Sequence, residues 1–125
     1  VAVTLICLDT NYLIRSLVEG SGEEAQLMEW ARQGEVLITS SVAWYEFRCG
    51  PVSSAEIDVL NMFLQRILPF TELEAEVAAR LFEHAGRKRA LKTDAMIAAT
   101  AMVARARLAT NNEKDFRMFP GLELV

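Results

Sequence analysis

Two short apolar runs constrain the fold most: TLICLD at residues 4–9 and EVLITS at 35–40. The first stops at Asp-Thr-Asn and the second in Ser-Ser, and both read as buried strands. RILPF (66–70), RLAT (107–110) and LELV (122–125) are shorter candidates. Helical patterns fill the intervals, at roughly 11–19, 23–33, 42–49, 54–65, 72–86 and 94–105. Ser41, Ser53 or Ser54, Thr71 and Thr93 stand where N-caps belong. Glu74, three residues after Thr71, completes a capping box, whereas Ile57 after Ser54 does not. Strands alternating with helices predict an α/β fold: a mainly parallel sheet with helices on both faces, joined by right-handed crossovers. Ligands of such sheets bind beyond the carboxyl ends of the strands. The residues that close the strands therefore matter most.

Four acids stand at or near these ends. Asp9 closes the first run, Asp115 follows the fourth, Asp94 begins the sixth helix, and Glu46 lies one turn into the helix after the second run. Taken singly, each has an ordinary account. Asp9 caps a helix, Asp94 complements a helix dipole, and Asp115 is a solvated acid. Glu46, among Val42, Ala43, Trp44, Tyr45 and Phe47, either pairs with Arg48 or Arg15 or holds a metal. Together they are more telling. Two carboxylates at ~4 Å and an effective dielectric of ~20 repel by about 4 kcal/mol, so four in one cleft require a cation. Hard oxygen donors without a His or Cys cluster point to Mg²⁺ or Mn²⁺ rather than zinc. Such ions serve phosphoryl chemistry.

At 125 residues, 52% hydrophobic and 24% charged, the chain reads as one globular domain and not as a disordered one. Thirteen basic against seventeen acidic residues argue against a polyanion binder held by bulk charge, and leave local basic patches open. Cys7 and Cys49 lack C-x-x-C spacing, which disfavours a metal knuckle or a disulfide framework. With no apolar stretch of 18 residues, a soluble protein of the reducing cytoplasm is expected.

LDTNYLI (8–14), SSVAWYEFRCG (40–50), TDAMIAATAMVA (93–104) and LATNNEKDF (108–116), in this order and spacing, resemble the PIN-domain family, in particular its VapC-type ribonuclease toxins of bacterial toxin–antitoxin modules. The resemblance implies a three-layer α/β/α fold, often dimeric, with Mg²⁺- or Mn²⁺-dependent endoribonuclease activity neutralised by a cognate antitoxin. A transfer or ribosomal RNA loop is the family-level expectation for the substrate. Carried over by position, Asp9, Glu46, Asp94 and Asp115 match the catalytic and metal-holding acids. Thr10, Asn11, Thr110 and Asn112 match the polar residues that orient them. The chain departs from the family pattern at ARARL (104–108), which lacks the usual glycine turn, and at GRKRALK (86–92), which is more basic than usual.

Arg87, Lys88, Arg89 and Lys92, with Arg105 and Arg107, form the densest basic zone, either a solvated loop or a rim that meets RNA phosphates. His84, the one histidine, reads as a surface residue, which disfavours a metal-free ribonuclease route. Trp30, Trp44, Tyr12, Tyr45 and Phe47 read first as core; Trp44 and Tyr45 could instead line an antitoxin groove. Rival readings fit less well. A phospho-accepting receiver wants two acids after the first strand and an Asp after the third, and LPFTELE has no Asp. A haloacid-dehalogenase phosphatase wants Asp-x-Asp, where Asn11 stands. A non-toxin PIN nuclease of RNA processing and a catalytically silent PIN binding module remain the alternatives within the family.

Overall fold

The computed structural model describes residues 4–125. Four strands, β1 (Leu5–Leu8), β2 (Val36–Ser40), β3 (Leu64–Leu68) and β4 (Arg107–Ala109), pair in the order β3-β2-β1-β4, every pairing parallel. Seven helices flank the sheet: α1 (Thr10–Ser16), α2 (Gly22–Arg32), α3 (Ser41–Arg48), α4 (Ser54–Phe63), α5 (Glu72–His84), α6 (Lys92–Val103) and α7 (Glu113–Phe116). This is the expected three-layer α/β/α architecture. The chain leaves β1 for β2 on one side and reaches β4 on the other, so the order reverses between β1 and β4. A crevice opens at such a switch point, beyond the strands' carboxyl ends. Asp9 follows β1 there and Thr110 follows β4, and the Asp9 N–H donates to the Ala109 carbonyl at 3.0 Å.

The elements differ from expectation at their edges, each time for a local reason. β3 begins at Leu64 and ends before Pro69, which has no N–H to give a ladder. LELV makes only an isolated bridge, Leu124 with Leu108, covering the outer edge of β4. Ser40, not Ser41, caps α3, accepting from the Ala43 N–H at 2.9 Å. Ser53 caps α4 and forms a full capping box, so Thr71 is not alone in having one. Placing the cap at Ser54 had set Ile57 at the third position, where Glu56 belongs. Thr93 caps nothing, because α6 runs directly out of a 3₁₀ turn at Arg89–Leu91. The short α7 was not anticipated.

One hydrophobic core joins the sheet to its helices, with Ile6, Cys7, Leu8 and Leu13 fully buried. The expectation for α6 was a single inward face carrying Ile97, Ala98, Ala101 and Met102. In the structure Ala95, Ile97, Ala98, Ala99, Thr100 and Ala101 are all buried, and of the four expected residues Met102 alone is partly exposed. A helix apolar all round belongs inside, and α6 packs on α5, α3, β2 and β4 together. Its alanines permit that close approach. The first turn of α6, with Asp94, is thereby fixed at the crevice. Cys7 is buried and Cys49 exposed, both as free thiols. Among the described residues no helix is long and apolar enough to cross a membrane.

Candidate active site

Asp9 is 5% exposed and held from two sides. Its Oδ1 accepts the Thr10 N–H at 2.7 Å, as a helix cap would. Its Oδ2 accepts the Thr110 hydroxyl at 2.8 Å, from a residue 101 positions away. The capping role is therefore real but incomplete. The Asn112 N–H donates to that same Thr110 oxygen at 2.9 Å, and the Asn112 side-chain amide donates to Asp115 Oδ2, also at 2.9 Å. On the other side the Thr10 hydroxyl donates to Glu46 Oε1 at 2.7 Å. One hydrogen-bonded chain thus joins Glu46, Thr10, Asp9, Thr110, Asn112 and Asp115. Threonine hydroxyls and amides donate here without adding positive charge, so the carboxylates are oriented but not neutralised.

Asp94 stands within electrostatic reach of all of them. Its carboxyl is pushed up to about 6, first by burial and then by the charges of Asp9, Asp115 and Glu46. Asp9 is also raised, chiefly by burial, while the bonds from Thr110 and Thr10 pull it back and Glu46 adds to the rise. Among the described residues the ion pairs are Arg15–Glu23, Arg32–Glu29, Arg87–Glu83 and Arg117–Glu113, and none includes the four acids. The alternative for Glu46 of a structural pair with Arg15 is thereby excluded. Arg15 binds Glu23 at 2.7 Å, and Glu46 is exposed on the rim rather than buried.

Among the described residues no three Asp, Glu, His or Cys side chains are already gathered in metal-holding geometry. The donor set of the crevice is one of hard oxygens. That chemistry fits Mg²⁺ or Mn²⁺. His84 is exposed at the end of α5 and supplies no base.

Not every expected residue joins the cluster. Asn11 is exposed and takes no part in the hydrogen-bonded chain. Arg87, Lys88, Arg89 and Lys92 are exposed on the segment that leads into α6, beside Asp94. Arg105 and Arg107 separate from them. They lie past the far end of α6, 12 residues or about 18 Å along its axis, toward the amino ends of the strands. Of the aromatics, Tyr12, Trp30 and Phe47 are buried, Trp44 is half-buried against Phe47, and Tyr45 is 70% exposed.

The sequence matches the PIN domain family over residues 6–122. A search of curated proteins finds no match. Among solved structures, a toxin–antitoxin complex from Klebsiella pneumoniae is 28% identical with a TM-score of 0.67, covering 94% of both chains. FitAcB from Neisseria gonorrhoeae is 25% identical with a TM-score of 0.73 over 96% of each chain. VapBC2 from Rickettsia felis, bound to a promoter DNA fragment, is 21% identical with a TM-score of 0.80 over 98% of each, a likeness of fold.

Proposed function

The chain belongs to the PIN domain family, and we propose that it is a Mg²⁺- or Mn²⁺-dependent endoribonuclease, a toxin of the VapC type held in check by a cognate antitoxin. The observation that carries the reading is the set of four carboxylates sharing one crevice, with Asp94 pushed up to about 6 and no Lys or Arg paired to them among the described residues. Asp9, Asp94 and Asp115 hold the cation, and Glu46 joins them directly or through water. A divalent cation bound there offsets their charge, activates water and stabilises the oxygens of an in-line displacement. Thr110 and Thr10 orient Asp9 and Glu46, and Asn112 orients Asp115. The products carry 5′-phosphate and 3′-hydroxyl ends. Arg87, Lys88, Arg89 and Lys92 meet phosphates of the RNA without reading its sequence.

The toxin role is supported by the 28% identity to the Klebsiella toxin–antitoxin complex. With it come a protein antitoxin, a homodimer, a cytoplasmic site of action and a transfer or ribosomal RNA loop as substrate. The test is incubation of total RNA with the purified protein in Mg²⁺ or Mn²⁺ against EDTA, beside Asp94→Asn, with fragment ends mapped. Cation-dependent cuts bearing 5′-phosphates and absent from the variant are expected. Cuts that persist in EDTA and in the variant would overturn the mechanism. Metal-loaded protein inert on every RNA would favour a silent binding module.

A further inference from the structure

A small cleft shares a wall with the acids. It holds about 130 Å³ and is bounded by Tyr12, Gln26, Trp30, Thr110 and Glu113. Thr110 is the common residue: its hydroxyl donates to Asp9 at 2.8 Å, so the cleft starts one hydrogen bond from the acidic site. The Tyr12 and Trp30 rings stack with centroids 5.8 Å apart and planes at 29°, forming a fixed aromatic wall. Opposite chemistry stands at the rim. The Gln26 amide can both donate and accept, and the Glu113 carboxylate only accepts. Glu113 has one partner, Arg117 at 3.4 Å in an exposed pair, which leaves its oxygens largely available. A cavity of about 150 Å³ admits a single six-membered ring, so the space here is of the size of one pyrimidine ring.

We propose that this cleft is a nucleobase subsite that takes an unpaired cytosine beside the phosphate at the acids. The inference rests on the nuclease reading and adds a base preference to it. Cytosine presents its N4 amino group to an acidic acceptor, while the Gln26 amide meets its ring nitrogen and carbonyl and the aromatic wall meets its edge or face. Uracil turns a carbonyl oxygen toward Glu113 instead, and two acceptors repel. Unpaired bases of RNA are commonly read in this way, by aromatic contact and by hydrogen bonds to the Watson–Crick edge.

Binding separates the inference from catalysis. Fluorescence anisotropy would compare labelled hexacytidine, hexauridine and hexaadenosine on the intact Asp94→Asn chain in Mg²⁺, and again with Glu113→Gln added. Hexacytidine should bind about fivefold or more tightly than hexauridine. Adding Glu113→Gln should erase that ratio while leaving hexauridine binding within twofold. Glu113 is exposed, so an unchanged melting temperature shows that the fold is intact. Equal affinities for the three RNAs, a purine preference, or a cytosine preference untouched by Glu113→Gln would each overturn the proposal. Cleavage by the wild-type chain decides the nuclease reading separately. Cation-dependent cleavage with no cytosine preference removes only the subsite, and a Glu113-dependent preference without cleavage removes only the nuclease.

Discussion

Asp94 is held against burial and against the charges of its neighbours, and its replacement should show it. Its carboxyl lies at about 6 against an ordinary 3.8, with burial the leading cause. A carboxyl raised by folding binds its proton more tightly in the native state. Its stabilising share is fully present below the unfolded value and is lost as pH rises through about 6. Metal-free Asp94→Asn should therefore be more stable than wild type at pH 7.5, on the order of 1 kcal/mol after allowing for the half-exposed site, with the gap closing toward pH 4. Thermal melts in EDTA across that range check it, and activity should fall at least about a hundredfold, because the cation that stabilises transition-state charge loses a ligand. Thr110→Val makes a complementary case. It strips the buried Asp9 of a donor, at a cost of about 1–3 kcal/mol in melts, and should weaken Mn²⁺ binding, while Thr110→Ser restores both. The sequence made these residues legible because each closes a strand or stands at fixed spacing from one that does. The exposure of Glu46 was not legible, since apolar neighbours in sequence say nothing about which way a helix turns. The exposure of Asn11 was hidden for the same reason.

The helix ends show how one residue can carry a turn the sequence left open. The Arg105 N–H donates to the Met102 carbonyl at 3.0 Å and the Ala106 N–H to the Ala101 carbonyl at 2.9 Å, the paired bonds of a Schellman close to α6. Arg105 reaches the left-handed conformation, φ 57°, that glycine ordinarily supplies. The turn that lacks a glycine therefore takes the left-handed geometry a glycine would supply, with backbone strain in place of the residue. Arg105→Gly should raise stability by about 1 kcal/mol without touching the acids, which urea unfolding can measure. If the variant is no more stable, the strain is being relieved by contacts of the arginine side chain. Alternation of strands and helices was legible because apolar period and turn residues are local properties. The cap of α3 falls one residue earlier than expected, at Ser40, and that of α4 at the first of its two candidates, Ser53, because serine pairs leave the register to tertiary contacts. LELV lost its strand to an isolated bridge, and α7 escaped notice because four residues carry no period.

At the scale of the molecule, charge is sorted by place rather than by total. A net −4 coexists with a basic segment at 87–92 that leads to the acidic crevice. If that segment meets phosphates, Arg87→Glu with Arg89→Glu should weaken RNA binding most at low salt. It should also flatten the salt dependence, by about 0.7 in logarithmic slope for each single-strand phosphate no longer neutralised. Filter binding from 50 to 300 mM KCl checks this, and a slope equal to wild type would assign the segment to solvation alone. Arg105 and Arg107 belong to the opposite end, so their reversal should leave the slope unchanged; sequence proximity had grouped them with the others because it cannot see the length of α6. In the proposed function a divalent cation offsets the carboxylates of the crevice, and the crevice is where that function stands or falls. Its most direct test is calorimetric titration of Mn²⁺ into metal-free wild type and Asp94→Asn at pH 7.5 and pH 5. Saturable binding at pH 7.5, weakened at pH 5 and lost in the variant, is the predicted result. No binding, or binding indifferent to Asp94, would contradict it.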